Sequence, residues 1–184
     1  MINLETKCQS NLMKPFGIAG YSGSGKTTLI ERLIPVFNLE ALKVSVIKHA
    51  HHEFDVDRPG KDSYRHRQAG AVEVAVASAY RWVLMHELRG APEPTLEQML
   101  SRFSPCDLVI VEGFKNEPIP KLEVHRAGAG RPLLYPDNPH IVAVATDEPL
   151  STELPQLDLN NPNAVAVFIM NYLGFPVRET TLLA

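Results

Sequence analysis

At 184 residues the chain is long enough to bury a substantial core without disulfide or metal staples, and short for two ordinary domains. Its 45% hydrophobic and 21% charged residues exclude a disordered or coiled-coil composition, and a net charge of -3 with a pI near 6.2 argues against a general nucleic-acid binder. Two cysteines, Cys8 and Cys106, offer no disulfide framework, and no run approaches the roughly 20 apolar residues that span a bilayer, so a cytoplasmic chain without membrane or nucleic-acid partners is expected.

In chain order, residues 1–14 read as a loose leader without an apolar signal core. The short apolar run Phe16-Gly17-Ile18-Ala19 predicts a buried first strand running into glycines. Leu29, Ile30, Leu33, Ile34 and Phe37 then recur at helical spacing, and Pro35 is expected to end or kink this helix after about two to three turns. Val44-Ser45-Val46-Ile47 reads as a second strand, followed by a polar, His-rich loop from Lys48 to Lys61. Asp62 or Ser63 is expected to cap a short helix that stops near Gly70. Val72 to Ser78 and Trp82 to Leu88 are β-prone runs, either successive strands or a hairpin.

Thr95 and Gln98 make a capping box for a helix with Leu96, Met99, Leu100 and Phe103 on one face, ended by Ser104-Pro105. The continuous apolar run Asp107 to Gly113 predicts a central parallel strand that meets a functional loop through Glu112. Lys121 to Arg126 and Ile141 to Thr146 read as further strands joined by a Gly- and Pro-rich connection. Asn161 caps a final helix, Pro162 suits its first turn, Val165, Phe168, Ile169 and Tyr172 form its buried face, and Gly174 stops it. Strands alternating with helices predict an α/β fold of the P-loop NTPase type, a mostly parallel sheet with helices on both faces, as one domain over residues 15–175 with a tail at 176–184.

The segment Gly20-Tyr21-Ser22-Gly23-Ser24-Gly25-Lys26-Thr27 carries the strongest chemical signal. A polyphosphate needs several donors at short range, and a glycine-rich turn offers backbone amides with no Cβ in the way. The following helix adds its partly positive N-terminus, Lys26 brings a full charge toward the outer phosphates, and Thr27 offers a hydroxyl to Mg²⁺. Magnesium also takes one or two carboxylates. Glu112 lies where that acid is expected, with Asp55 and Asp57 as alternatives and a plain strand-end role for Glu112 as the competing reading. The loop holding His49, His51, His52, Asp55 and Asp57 reads as a switch loop ordered by phosphate, magnesium or an anionic substrate, as a transition-metal site formed by His51, His52, Asp55 and Asp57, or as a merely solvated loop. The Asn-Lys-x-Asp signature of common GTPases is absent; Thr146-Asp147 is the nearest substitute, and Asp147 is either a guanine-reading carboxylate or a turn residue.

With these segments assigned, the chain resembles the MobB family of molybdopterin-guanine dinucleotide biosynthesis adaptors. The resemblance rests on Gly20 to Thr27, Ile47-Lys48-His49 with His51-His52, Asp55-Val56-Asp57, Pro59 to Tyr64, Val111 to Lys115 and Ala145-Thr146-Asp147. It implies a GTP-binding α/β homodimer with weak GTPase activity that uses GTP and Mg²⁺. Its implied partners are the molybdenum cofactor guanylyltransferase, the molybdenum insertion enzyme and molybdopterin. Carried over by position, Gly23 to Thr28 would hold phosphates, Lys48, His49, His51, His52, Asp55, Asp57 and Lys61 would serve as a substrate or switch loop, and Glu112 would face the metal. A P-loop small-molecule kinase and a metal-delivery GTPase are the competing functions.

Overall fold

The computed structural model describes residues 13–50 and 54–178. His51 and His52, nearly all of the leader and most of the tail lie outside the described residues. Where one domain is expected, the contacts divide the chain into two compact units, one built from the segments before Ala50 and after Met99 and the other from Ala50–Met99.

The larger unit is a six-stranded parallel sheet, from strands β1 (Lys14–Ala19), β2 (Val44–Lys48), β5 (Leu108–Glu112), β6 (Lys121–His125), β7 (Ile141–Thr146) and β8 (Gln156–Asp158). Their spatial order is β2-β5-β1-β6-β7-β8. The first strand thus lies between neighbours that come much later in the chain, and the loop leaving its C-terminal end opens at the middle of the sheet, where α/β sheets bind ligands. Helices α1 (Lys26–Leu39) and α4 (Pro162–Leu173) pack on one face, sharing a core with Phe16, Ile18, Leu108, Ile110, Leu122, Val124, Ala143 and Ala145. Val109, Val111 and Val144, which alternate with those residues, are also fully out of water, as near-continuous apolar strands require.

Two expectations about this unit need correction, and one element is new. Helix α1 runs 14 residues, about four turns, straight through Pro35. A mid-helix proline costs roughly 3 kcal/mol, but Pro35 is exposed while Val36 and Phe37 beyond it are buried in the core, so tertiary burial outweighs the lost hydrogen bond. In α4, Asn161 caps the helix by accepting the Ala164 N–H at 3.0 Å and Gly174 ends it at φ 70°, as expected. Its buried face, however, is Val165, Ala166, Ile169 and Met170, while Tyr172 is half exposed. Strand β8, only three residues long with exposed ends, has no counterpart in the sequence reading.

The smaller unit contains α2 (Asp62–Gln68) and a separate antiparallel hairpin of β3 (Glu73–Ala77) and β4 (Trp82–His86). The cap expected from Asp62 or Ser63 is not made: Lys61 occupies the N-cap without a side-chain bond, and Ser63 instead donates its hydroxyl to Asp57 at 2.9 Å. The Thr95/Gln98 capping box forms reciprocally at 2.9 and 3.2 Å and opens α3 (Leu96–Leu100), which stops sooner than its apolar spacing suggests. Among the described residues no helix is long and apolar enough to cross a membrane.

Gly17, in the middle of β1, sits against the fully buried stem of Lys121 on β6, where an added Cβ would lie 2.6 Å from Lys121 Cγ. The ammonium of Lys121 donates to the carbonyls of Glu117 and Ile119, so the stem has nowhere to retreat. Gly17→Ala is therefore expected to destabilise the fold by about 1–3 kcal/mol, read as a lower urea midpoint with an unchanged m-value.

Candidate phosphate-binding site

The loop between β1 and α1 owes its shape to three glycines at positive φ: Gly20 at 144°, Gly23 at 80° and Gly25 at 98°. At Gly20 the space is also closed, since a Cβ there would fall 2.6 Å from the Val124 carbonyl oxygen and 2.7 Å from Ser24 Oγ. Gly25 forms the N-cap of α1 and supplies no side-chain acceptor, so the first amides of the helix are left to an external anion. Ser24 is 6% exposed, and its hydroxyl has no protein partner. An orphaned buried hydroxyl, uncapped amides and left-handed glycines together fit a phosphate chain. Ser22, Thr27 and Thr28 stand exposed around this cradle.

Lys26 folds back to donate to the Tyr21 carbonyl at 2.8 Å, which curls the loop around its own cation. Partial burial pushes the Lys26 ammonium below its ordinary pKa; the Glu112 carboxylate opposes that fall, and Lys115 and Lys48 add to it. Thr27 donates its hydroxyl to Glu112 at 3.2 Å, and the Lys48 ammonium lies 3.8 Å from the same carboxylate. The parallel register explains the meeting, because Glu112 at the tip of β5 stands level with Ile18 of β1 and Lys48 of β2. One carboxylate among three lysines leaves this end of the sheet electropositive, suited to a polyanion with a divalent cation beside Thr27 and Glu112. Behind it, Gly113 at φ 103° lets the chain turn tightly against His49, whose ring stacks on Phe114 at 4.6 Å.

Asp147 follows the last residue of β7 at the same end of the sheet. One of its oxygens accepts the Ala127 N–H and the other the Arg126 guanidinium, both at 3.1 Å. The Ala127 amide, with a smaller contribution from Arg126, holds the carboxyl below its ordinary pKa. Arg126 was not singled out from sequence, nor was Arg131, which lies over the Tyr21 ring at 5.7 Å. Their one signal is that two arginines bracket Ala127-Gly128-Ala129-Gly130 immediately after a strand.

Asp55, Asp57 and Lys61 belong to the smaller unit. Asp55 accepts the Asp57 N–H at 2.8 Å and two bonds from one guanidinium nitrogen of Arg67 at 2.8 and 2.9 Å, while Asp57 lies 3.4 Å from Arg67 Nε without hydrogen-bond geometry. Arg67 also donates to Glu87 at 2.7 Å, so the two aspartates here serve an arginine-centred knot. Lys61 is exposed at the start of α2. Among the described residues no cluster of three or more His, Cys, Asp or Glu is placed to hold a metal.

The family model for molybdopterin guanine dinucleotide synthesis protein B, MobB, matches residues 16–147. The chain is 46% identical over 167 residues to a molybdopterin-guanine dinucleotide biosynthesis adapter protein of Haemophilus influenzae, covering 89% of this chain and 92% of that one. It is 44% identical to the adapter protein of Escherichia coli over 84% of this chain and 90% of that one. The crystal structure of a MobB homolog from Bacillus stearothermophilus superposes with a TM-score of 0.66 at 27% identity, covering 88% of this chain and 99% of that one.

The balance of charges around Lys26 has a measurable consequence. Glu112→Gln removes the one carboxylate that favours its ammonium form, so the Lys26 pKa, already lowered, should fall further in an NMR titration of ¹³C-labelled lysine. A rise or no change would show that the two groups do not interact.

Proposed function

The chain belongs to the MobB family and is an adapter of molybdopterin guanine dinucleotide biosynthesis, and from that premise we propose that it works as a magnesium-dependent GTP-binding protein with slow intrinsic GTPase activity. The observation that carries this reading is the glycine loop itself, with its unpartnered Ser24 hydroxyl and the Thr27–Glu112 contact beside it. The amides from Gly23 to Thr28 and the Lys26 ammonium would bind the phosphates, while Thr27 and Glu112 would hold the metal. Magnesium, when bound, supplies charge neutralisation between the outer phosphates. Glu112 is engaged by Thr27 and Lys48, so it is placed to hold charge rather than to take a proton from water, which suits an adapter that keeps its nucleotide. Asp147 would accept the two donors of the guanine edge, for which adenine has no counterpart. The guanylyltransferase that joins GMP to molybdopterin is the natural client of such a GTP-loaded adapter.

The hairpin of the smaller unit supports a homodimer. Trp82 is 70% exposed, and Val72, Val76, Val83 and Leu84 are exposed around it. A lone two-stranded hairpin is marginal in water, and an apolar patch of this kind marks an interface, here most simply with a second copy across a two-fold axis.

Titration of the nucleotides by calorimetry tests the first part. GTP should bind about ten- to a hundredfold more tightly than ATP, Lys26→Ala should lose both, and Asp147→Ala should lower GTP affinity alone. Equal binding of GTP and ATP by the unaltered chain would refute guanine recognition. Sedimentation tests the second: a dimer mass at micromolar concentration is expected, with Trp82→Lys shifting it to monomer.

A further inference from the structure

We propose that Arg126 is the specificity-determining positioning residue of the nucleobase site, holding the Asp147 carboxylate in the orientation that reads guanine and tying it to the phosphate loop. This rests on the reading of the site as a guanine nucleotide site and adds the residue that makes it selective.

The placement comes from the sheet. His125 of β6 and Thr146 of β7 are the last residues in register, so Arg126 and Asp147 are the next pair beyond the strand tips. A carboxylate there is free to rotate unless both oxygens are engaged. The Ala127 N–H takes one and Arg126 Nη1 the other, each at 3.1 Å, so the carboxylate plane is fixed from two sides. Each carboxylate oxygen has about two acceptor positions, and one on each remains. Two acceptor positions are what the adjacent ring N–H and exocyclic amine of guanine require.

The other edge of the same guanidinium faces the phosphate loop. A Cβ built on Gly25 would lie 3.5 Å from Arg126 Nε and Nη2, so the planar group stands beside the glycine and leaves just the room of a side-chain carbon between them. One rigid fork therefore spans the distance from the loop at the N-terminus of α1 to the carboxylate beyond β7. The Thr146-Asp147 pair lacks the lysine that accompanies the aspartate in common GTPases. Arg126 supplies a cation to that place from the neighbouring strand.

The test compares GTP and ATP dissociation constants for the full chain, for Arg126→Ala, for Asp147→Ala and for the double variant. Arg126→Ala should weaken GTP about tenfold and leave ATP within about twofold. Because Arg126 acts through Asp147, the double variant should show no smaller GTP preference than Asp147→Ala alone. Equal losses of GTP and ATP would make Arg126 a phosphate ligand or a fold residue and overturn the proposal. If Arg126→Ala loses both because it folds poorly, Arg126→Met keeps an unbranched stem of similar length and must then give the selective loss; a second equal loss overturns it. Unaltered protein that prefers GTP, with Arg126 variants that keep that preference, refutes Arg126 alone. Unaltered protein that binds both nucleotides alike refutes the guanine reading beneath it.

Discussion

Everything at the functional end of this molecule depends on β1 being flanked on both sides by parallel strands. A parallel neighbour brings its own C-terminal tip to the same edge, so the glycine loop leaving β1 meets Glu112 from β5 on one side and Arg126 from β6 on the other. Neither residue needs a long reach, because the register sets Ile18 level with Glu112 and Leu122. The fold thus performs the first task of a binding site, gathering charged groups at fixed spacing, with backbone hydrogen bonds alone.

Two buried polar side chains of β6 extend that order into the loops. Glu123 is 1% exposed, and its two oxygens accept the N–H groups of Leu134 and Tyr135 at 2.8 and 3.0 Å. That fixes the far end of the connection whose near end carries Arg126 and Arg131. Lys121 does the same at the opposite tip, where its ammonium gathers the carbonyls of Glu117 and Ile119. A charge in the sheet interior is costly unless its bonds are met, and here each one organises irregular backbone that would otherwise lack partners.

Features with a local cause were readable from the sequence. The glycines of the phosphate loop, the Thr95/Gln98 box and the Asn161-Pro162-Gly174 frame of α4 each depend on residues within a few positions of one another. Pro35 misled because the local rule is right about the lost bond and silent about the burial of Val36 and Phe37. The face of α4 was read correctly at Val165 and Ile169, with Phe168 packed partly buried against the core, but Tyr172 is half exposed, and Ala166 and flexible Met170, which carry no aromatic signal, are fully buried instead. Arg126 was invisible for a different reason. Its neighbours, Gly25 and Asp147, lie 122 positions apart in sequence order, and only strand pairing joins them.

The pairing of α1 with α4 has a consequence for how the molecule comes into being. Helices α1 and α4 share one core although more than a hundred positions of chain lie between them. Contacts such as Arg32 to the Asn160 carbonyl and Arg178 to the Leu39 carbonyl close loops of 128 and 139 positions. Such long closures slow the search for the native state, because chain entropy is surrendered before the contacts repay it. Until α4 docks, the core that Leu29, Leu33 and Phe37 of α1 share with it is incomplete, which leaves apolar surface open beside the phosphate loop during folding.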